Sequence, residues 1–199
     1  MTTPDAQELA EVGLVRGADG LLRCSWAGAT EDYATYHDQE WGRRLTGDDA
    51  LFERLCLEAF QSGLSWLTIL RRREGFRRAF AGFSISAVAA FGESDVERLL
   101  ADTGIIRNRA KIDAAITNAK LAAELPGGLS ALLWSFAPPA RPRPRTRADV
   151  PATSPESTAL AKDLRKRGFR FVGPTTSYAL MQATGMVDDH IVGCHAGAA

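Results

Sequence analysis

The sequence predicts an all-α fold, and three observations support this prediction. Apolar residues recur at helical spacing through most of the chain, no segment shows the alternation of a strand, and glycine and proline separate the periodic segments. A length of 199 residues with 45% hydrophobic and 24% charged side chains is typical of one globular domain, or of two small lobes that share a core.

The predicted helices start at residue 48. Asp48 or Asp49 offers an N-cap carboxylate for the first of them, and Ser94 is a candidate N-cap further along. Pro174 suits the first turn of the last helix, because the missing N–H of proline would have no partner there. The predicted helices begin at 48 and then cover 66–80, 84–92, 94–102, 108–124, 128–136, 156–167 and 174–185.

Two segments are predicted to lie outside these helices. Residues 1–22 have no sustained apolar period, so we expect a flexible extension followed by a folded domain at 23–199. Residues 137–155, APPARPRPRTRADVPATSP, are too rich in proline for a helix and predict a basic loop. No apolar run approaches the roughly 20 residues of a membrane span, and the first residues lack the order of a signal peptide. We therefore expect a cytoplasmic protein.

Charge is separated along the chain, although the formal net charge is zero. Residues 1–60 contain 12 Asp or Glu and 5 Arg, whereas residues 107–173 contain 13 Lys or Arg and 5 acids. A net charge of zero argues against indiscriminate binding to nucleic acid, but the second stretch would attract a polyanion. Solvated helix faces would produce the same asymmetry, so charge alone does not decide between the two.

Cysteine and histidine positions indicate a metal site. Cys24 and His37 are separated by twelve residues, and His190 and Cys194 lie four apart near the other end. Two sulfurs and two imidazoles suit a closed, tetrahedral structural site for one Zn²⁺ per chain. His195 could replace His190 in this set. The alternative is a buried cysteine and two surface histidines that bind no metal.

The hexapeptide GFRFVG at 168–173 is typical of a helix-hairpin-helix, which would cover about residues 156–185. Its glycines allow a tight turn that presents backbone N–H groups to a phosphate, and the N-terminus of the following helix also favours an anion. Arg170 and Gly173 are the candidate DNA contacts. An ordinary corner between two helices would have the same glycine turn, but the neighbouring basic residues favour phosphate binding.

Aromatic side chains cluster around the first pair of metal candidates and near one acidic residue. Flat rings can hold an extruded base, and an electron-poor, cationic base is attracted both to π faces and to a carboxylate. Core packing is the alternative for each ring. Glu58 interrupts an apolar helix, where burial would require a partner or a purpose. The candidates are Glu58, Trp26, Tyr33, Tyr36, Trp41 and Trp66.

Several segments together resemble the 3-methyladenine DNA glycosylase I family over about residues 23–194, with the spacing between them retained. They are RCSWAGATEDYATYHDQEWG, LFERLCLEAFQSGLSWLTILRRRE, DVERLLADTGIIRNRAKIDAAITNAK, LLWSF and KRGFRFVGPTTSYALMQATGMVDDHIVGC. The resemblance implies a helix-hairpin-helix DNA glycosylase fold in which a zinc clasp links the N- and C-terminal segments. It also implies base-excision repair that releases alkylated purines, mainly 3-methyladenine, from double-stranded DNA.

Site roles follow from the resemblance by position. Lyase-competent relatives have a lysine soon after the hairpin, where this chain has Pro174 and Thr175, so we expect a monofunctional glycosylase. We also expect a monomer. Asp188 is a candidate for the catalytic aspartate of the wider superfamily, although holding the His190 turn together with Asp189 is the favoured role. The resemblance assigns Cys24, His37, His190 and Cys194 as zinc ligands, Glu58, Tyr36 and Trp66 to the base pocket with Trp26, Tyr33 and Trp41 nearby, and Gln61 and Leu64 to the loop that probes the duplex.

Two other classes of function remain open from the sequence. A non-catalytic, zinc-stabilised binder of damaged or bent DNA would have the same hairpin and metal site with an idle pocket. A hydrolytic zinc enzyme is disfavoured, because a closed set of four ligands leaves no position for a reactive water. Base release from methylated DNA separates the glycosylase from the binder.

Overall fold

The computed structural model describes residues 5–197 and is mostly helical, as predicted. In the part of the chain that it describes, no helix is long and apolar enough to cross a membrane. The elements are α1 (Ala6–Val12), β1 (Leu14–Arg16), β2 (Leu22–Cys24), α2 (Glu31–Gln39), α3 (Asp48–Gln61), α4 (Trp66–Ala79), α5 (Ile85–Ala89), α6 (Glu93–Ala101), α7 (Arg109–Ala123), α8 (Gly128–Trp134), α9 (Pro155–Lys166) and α10 (Pro174–Ala183), with short 3-10 turns at Ser25–Ala29, Ala81–Phe83 and Arg147–Asp149.

The N-terminal segment differs from the flexible extension that we expected for residues 1–22. Asp5 caps α1 by accepting hydrogen bonds from two amides of the first turn, and Glu8 accepts one from the Asp5 amide in return. This reciprocal arrangement is a capping box, which stabilises a helix start. The expectation is therefore wrong for residues 5–22, while residues 1–4 lie outside the described residues.

A two-stranded antiparallel sheet follows α1, which the sequence did not predict. β1 pairs with β2 so that Leu14 lies opposite Cys24. Leu9 and Leu14 are buried in a cluster with Cys24, Ile191 and Cys194. Strands of three residues are too short to show an alternating pattern, so pairing and burial rather than local preference stabilise them.

The chain divides into two compact units. Unit 1 consists of Met1–Arg44, Pro138–Ala152 and Met181–Ala199 in their described parts, and unit 2 consists of Leu45–Ala137 and Thr153–Leu180. Unit 1 thus gathers three stretches that are far apart in the sequence. It contains α1, the sheet, α2 and the proline-rich loop.

The core of unit 2 surrounds α3 and α7. Helix α5 packs on α7, and α3 contacts α4, α7 and α8. Phe60 and Phe76 have ring centroids 4.7 Å apart, and Phe80 stacks on Phe83 at 5.4 Å, all fully buried. Each such ring contributes about 2 kcal/mol through burial. Helices α3 and α7 therefore lie in a well-packed frame.

Asp48 and Asp49 do not cap α3, which is preceded by Gly47. Asp48 Oδ1 accepts the Ser130 amide at 2.8 Å in the first turn of α8, and Asp49 Oδ1 accepts the Ile85 amide at 2.8 Å where α5 begins. The two carboxylates stabilise the N-termini of other helices instead, because unpaired N–H groups lie there.

Helix α6 begins one residue before the predicted start. Asp95 accepts a hydrogen bond from the Gly92 amide at 3.1 Å, so Gly92 is the N-cap and Ser94 lies inside the helix. The starts of α7 and α9 agree with prediction to within one residue, since the side chains of Asn108 and Ser154 accept amides of the following turn.

Candidate functional site

Unit 1 brings Cys24, His37 and Cys194 together. The ligand atoms of these three buried residues all lie within 4.8 Å of one another, and Cys194 Sγ is 3.4 Å from His37 Nε2. A hydrogen bond from the Cys24 thiol lowers the pKa of the Cys194 thiol well below its usual range, which favours the thiolate. Two sulfurs and an imidazole nitrogen form a donor set that suits zinc.

His190 lies beside this group. Its ring centroid is 5.0 Å from that of His37, and its Nε2 is buried with no hydrogen-bond partner among the described residues. His190 Nδ1 is 2.7 Å from Asp188 Oδ1, just as His37 Nδ1 is 2.8 Å from Asp38 Oδ1. In both imidazoles, therefore, Nδ1 is fixed by a carboxylate, whereas Nε2 contacts no carboxylate.

The two carboxylates determine which nitrogen of each ring has a free electron pair. Burial raises the pKa of Asp38, but hydrogen bonds from Arg23 and two imidazoles outweigh it and hold that pKa well below its usual range. For Asp188, burial is likewise outweighed by the hydrogen bonds from His190, and the pKa is lowered. An ionised carboxylate has no proton to donate, so each ring donates from Nδ1, and Nε2 is the nitrogen through which a neutral ring could bind a metal.

His195 occupies a different position. Its Nε2 is 2.9 Å from Asp38 Oδ1, and its side chain is 27% exposed. Together with His37 and Asp38 it forms a second group with metal-ligating atoms close together. Arg23 already donates to both oxygens of Asp38, however, which makes this group a charge-paired cluster. The Nε2 of His195 thus contacts a carboxylate, whereas the Nε2 of His190 is buried with no hydrogen-bond partner among the described residues.

The proline-rich segment is a loop, as predicted, but two of its arginines point toward the protein. Arg141 forms an ion pair with the buried Asp189 at 2.8 Å. Arg143 donates to three backbone carbonyls of the turn 190–194, at 2.9, 2.7 and 3.2 Å. These two arginines of the basic loop therefore hold the turn that bears His190.

The aromatic rings of unit 1 pack around the imidazoles. Trp26 meets His37 edge-on at 5.3 Å and Trp41 at 5.1 Å, and Trp41 meets His190 at 4.7 Å. Tyr36 is buried, and Tyr33 contacts the edge of Trp26 at 5.6 Å. Trp26 and Trp41 thus pack against the histidines of the Cys/His group.

Glu58 is a buried acid in unit 2. It lies on α3 with 5% of its surface exposed, and no hydrogen bond joins its carboxyl group to another described residue. Burial raises the pKa of Glu58 to about 8, against an opposing effect of the Arg54 charge. The sequence predicted that this acid would need a purpose if buried, and the structure confirms that it is buried.

A short loop connects Glu58's helix to α4. Gln61 ends α3, Leu64 in the loop is 41% exposed, and Trp66 is the half-buried first residue of α4. We refer to residues 61–65 as the probe loop. An exposed apolar side chain at a loop tip is of the kind that can insert into a stack of bases.

The hairpin turn joins α9 to α10. Gly168 has φ +98°, a left-handed conformation that suits glycine, and Arg170 is exposed at the turn. Gly173 does not have a positive φ, and a Cβ there would lie 3.3 Å from Arg165 Nη2. The tight turn therefore depends on Gly168 rather than on Gly173. Pro174 begins α10 as predicted.

Two residues of α7 that were missed from the sequence, Lys111 and Asn118, have buried side chains that bind the backbone near the candidate DNA contacts. Lys111 Nζ donates to the carbonyls of Phe60 and Ser62, and Asn118 exchanges two hydrogen bonds with the backbone of Arg170. Both side chains are buried on a helix whose other buried positions are mainly apolar. Two polar residues in a buried stripe, spaced by seven, are the signal that could have identified them.

Known proteins similar to this chain are methyladenine glycosylases, both by sequence and by structure. A sequence model described as methyladenine glycosylase matches residues 26–197. The chain is 45% identical over 179 residues to the protein named DNA-3-methyladenine glycosylase 1 from Escherichia coli, which covers 87% of this chain and 96% of that protein.

Two solved structures are also similar. A crystal structure of 3-methyladenine DNA glycosylase I has 46% identity and a TM-score of 0.83, covering 87% of this chain and 98% of the other. A variant of such an enzyme in complex with 3-methyladenine has 32% identity and a TM-score of 0.84, covering 89% and 98%. By sequence and by fold, this chain belongs to the methyladenine glycosylase family.

Proposed function

We propose that this chain removes alkylated purines, mainly 3-methyladenine, from double-stranded DNA by hydrolysing the N-glycosidic bond, which leaves an abasic site. Relatives named for this activity cover nearly the whole chain. The observation that carries the proposal is Glu58, a buried carboxyl group without a hydrogen-bond partner among the described residues. Such a group has a high free energy unless a ligand compensates it.

The mechanism begins with extrusion of the damaged nucleotide. Gln61 probes the duplex and Leu64 fills the vacated gap, while the ring of Trp66 stacks on the base. Glu58 pairs with the purine, whose alkylation makes it both cationic and a good leaving group. The protein then needs to supply only part of the barrier lowering, by stabilising the oxocarbenium charge and orienting a water. For Tyr33 and Tyr36, with Trp26 and Trp41, contact with the base is a proposal from family resemblance.

Base release tests this function directly. The purified protein is incubated with methylated duplex DNA, and the released bases are separated and identified. We expect free 3-methyladenine and intact strands with abasic sites. Binding to the duplex without any released base would replace the enzyme with a non-catalytic binder of damaged DNA.

We propose that Cys24, His37, His190 and Cys194 hold one zinc ion, with His190 as the fourth ligand. The buried, partnerless Nε2 of His190 and the carboxylate-fixed Nδ1 of both histidines support this assignment. Bound zinc would supply a structural cross-link within unit 1, between the β2–α2 segment and the C-terminal turn. Its shell of four protein ligands leaves no place for a reactive water.

We expect no lyase activity, so borohydride will trap no covalent adduct between the protein and DNA. No lysine follows the hairpin, and Lys111 donates from Nζ to the carbonyls of Phe60 and Ser62 at 2.8 and 2.6 Å. An amine held in this way is not free to attack the sugar. Trapping is measured on gels, with a lyase-competent glycosylase as positive control. An adduct that disappears in Lys111→Met would overturn the monofunctional assignment.

Replacing Arg170 by alanine will weaken binding to damaged and undamaged duplexes by the same factor. A hairpin that contacts phosphate carries no sequence information, so removing one cation lowers the slope of log K against log salt by about one. Titrations at several salt concentrations measure this slope. Arg16→Ala, which removes an exposed arginine from β1, is the control and leaves the slope unchanged. Normal binding with an altered spectrum of released bases would contradict the hairpin assignment.

A further inference from the structure

One helix contacts both elements of unit 2 that are assigned to DNA. Lys111, in the first turn of α7, is buried and reaches across to the end of α3. Its Nζ lies 2.8 Å from the Phe60 carbonyl and 2.6 Å from the Ser62 carbonyl. Carbonyls in the last turn of a helix have no partner within the helix, and a cation near them is favoured by the helix dipole. Lys111 thus fixes the backbone where the probe loop begins.

Asn118 performs the equivalent task at the hairpin. Its side chain is 1% exposed, and its amide group donates to the Arg170 carbonyl at 3.1 Å while its oxygen accepts the Arg170 amide at 2.9 Å. This pair of bonds resembles a rung of a β-ladder and holds one residue at both of its polar groups. The backbone at the hairpin tip is therefore fixed to α7, while the Arg170 side chain remains exposed.

The spacing of these two side chains relates the two contacts to each other. Seven residues make nearly two helical turns, so Lys111 and Asn118 project from the same side of α7 about 10 Å apart. A helix is stiff along its axis. The distance between the probe loop and the hairpin is consequently set by α7 and by the two polar side chains that it carries.

We propose that Lys111 and Asn118 are positioning residues that fix the separation between the probe loop and the hairpin, so that Leu64 enters the duplex only where the hairpin has bound phosphate. This inference rests on the proposed function. The neighbouring buried positions of the same helix, Ile112, Ala115 and Ala119, are apolar and serve packing alone. A buried ammonium group costs free energy that methionine would not, so a requirement beyond packing accounts for it.

The test compares Lys111→Met and Asn118→Leu with the wild type and with Lys120→Met, which alters an exposed lysine on the same helix. Single-turnover release of 3-methyladenine from duplex DNA gives the rate of the excision step, and a fluorescent base analogue opposite the lesion reports insertion of Leu64. We expect each variant to lose about 100-fold in the single-turnover rate, since a misplacement of about 1 Å is enough for such a loss. The insertion signal falls in parallel, and Lys120→Met behaves as wild type.

Binding of free 3-methyladenine distinguishes a loss of positioning from a general loss of structure in the variants. The rise in melting temperature that this base produces is expected to stay the same in both variants, because neither changes the base pocket. We expect the excision rate of the double variant to be only slightly lower than that of the slower single variant. Either substitution alone already disturbs the separation between the probe loop and the hairpin, so the two effects are not additive. Independent structural roles would instead give multiplied losses.

Three results would overturn the inference. The first is excision within about threefold of wild type by folded Lys111→Met and Asn118→Leu. The second is a loss of rate that follows a loss of free-base binding. Lys111→Arg, which keeps the charge but has a longer side chain, replaces Lys111→Met if that variant does not fold. The third contradicting result is a Lys111→Arg protein with the wild-type excision rate and the wild-type insertion signal. If the wild type releases no base, the proposed function is contradicted instead. That outcome differs from each of the three results above.

Discussion

Replacing Cys24 by serine is expected to remove zinc from the purified protein and to lower its free energy of unfolding by about 4 kcal/mol. That value corresponds to a ligand that binds only the folded chain at about 1,000 times its Kd. Serine keeps the shape of the side chain but lacks the thiolate, so the donor set formed with His37 and Cys194 is incomplete. Metal analysis and chemical denaturation, with and without a chelator, measure the two effects.

Cys56→Ala provides the matched control, because Cys56 is a buried cysteine in the core of unit 2. It should lose some stability through packing, keep one zinc per chain, and respond to the chelator as the wild type does. The fourth ligand is tested by His190→Ala, which should lose metal, and by His195→Ala, which should keep it. A wild type purified without zinc, or a Cys24→Ser protein that retains it, would remove the proposed metal site.

Replacing Glu58 by glutamine is expected to lower kcat/KM for 3-methyladenine release by about 100- to 1,000-fold at pH 8, the loss typical of removing one preorganised electrostatic partner. The wild-type profile gives a second signature. Because burial raises the pKa of Glu58 to about 8, the free protein holds this carboxyl protonated at neutral pH. If the carboxylate is the form that pairs with the cationic purine, kcat/KM rises about tenfold per pH unit below that pKa and then levels off.

Base selectivity should follow the same titration. A carboxylate accepts from the exocyclic amine of an adenine but repels the carbonyl oxygen of a guanine, whereas a protonated carboxyl group accommodates either. The margin of 3-methyladenine over 3-methylguanine should therefore widen with pH in the wild type and stay constant in Glu58→Gln. Trp66→Ala should slow the release of both bases alike by removing stacking. A wild-type margin that does not change with pH would show that Glu58 does not read the base edge.

Stability should show the opposite trend from activity. The pKa of Glu58 is raised from its ordinary value of 4.5 to about 8 in the folded protein, so between these values the unfolded chain releases a proton that the folded chain retains. The free energy of unfolding of the wild type, relative to Glu58→Gln, should fall by about 3 kcal/mol from pH 4.5 to pH 7. It should become constant above pH 8. Denaturant unfolding of both proteins across this range measures the difference, in which contributions from other groups cancel.

The helices from α3 onward and the family were determined by the sequence alone. The 3.6-residue period and the proline at the start of α10 act within a few residues of themselves, so they can be recognised without the fold. The ligand candidates Cys24, His37 and Cys194 came from residue chemistry combined with the family resemblance. The structure brings these three together.

Other features were decided only by the tertiary structure, because they depend on which distant segments meet. Asp48 and Asp49 are the cap candidates for α3 in the sequence, yet they accept amides of α8 and α5. Arg141 and Arg143 lie in a loop whose composition suggests DNA contact, yet they hold the turn 190–194. In each case the charged group pairs with the unpaired backbone group or the opposite charge that lies nearest in space. The distance between the two partners along the sequence does not matter.

The same reason explains the N-terminal sheet and the contacts of α7. A strand of three residues has little intrinsic preference, so β1 exists because β2 pairs with it and because Leu14 is buried. Lys111 and Asn118 are polar residues on a helix, and their partners lie about fifty positions away in sequence. Local periodicity indicated where the helices from α3 onward lie. The free energy of burying backbone carbonyls and amides decided which side chains had to meet them, and that became defined only when the chain had folded.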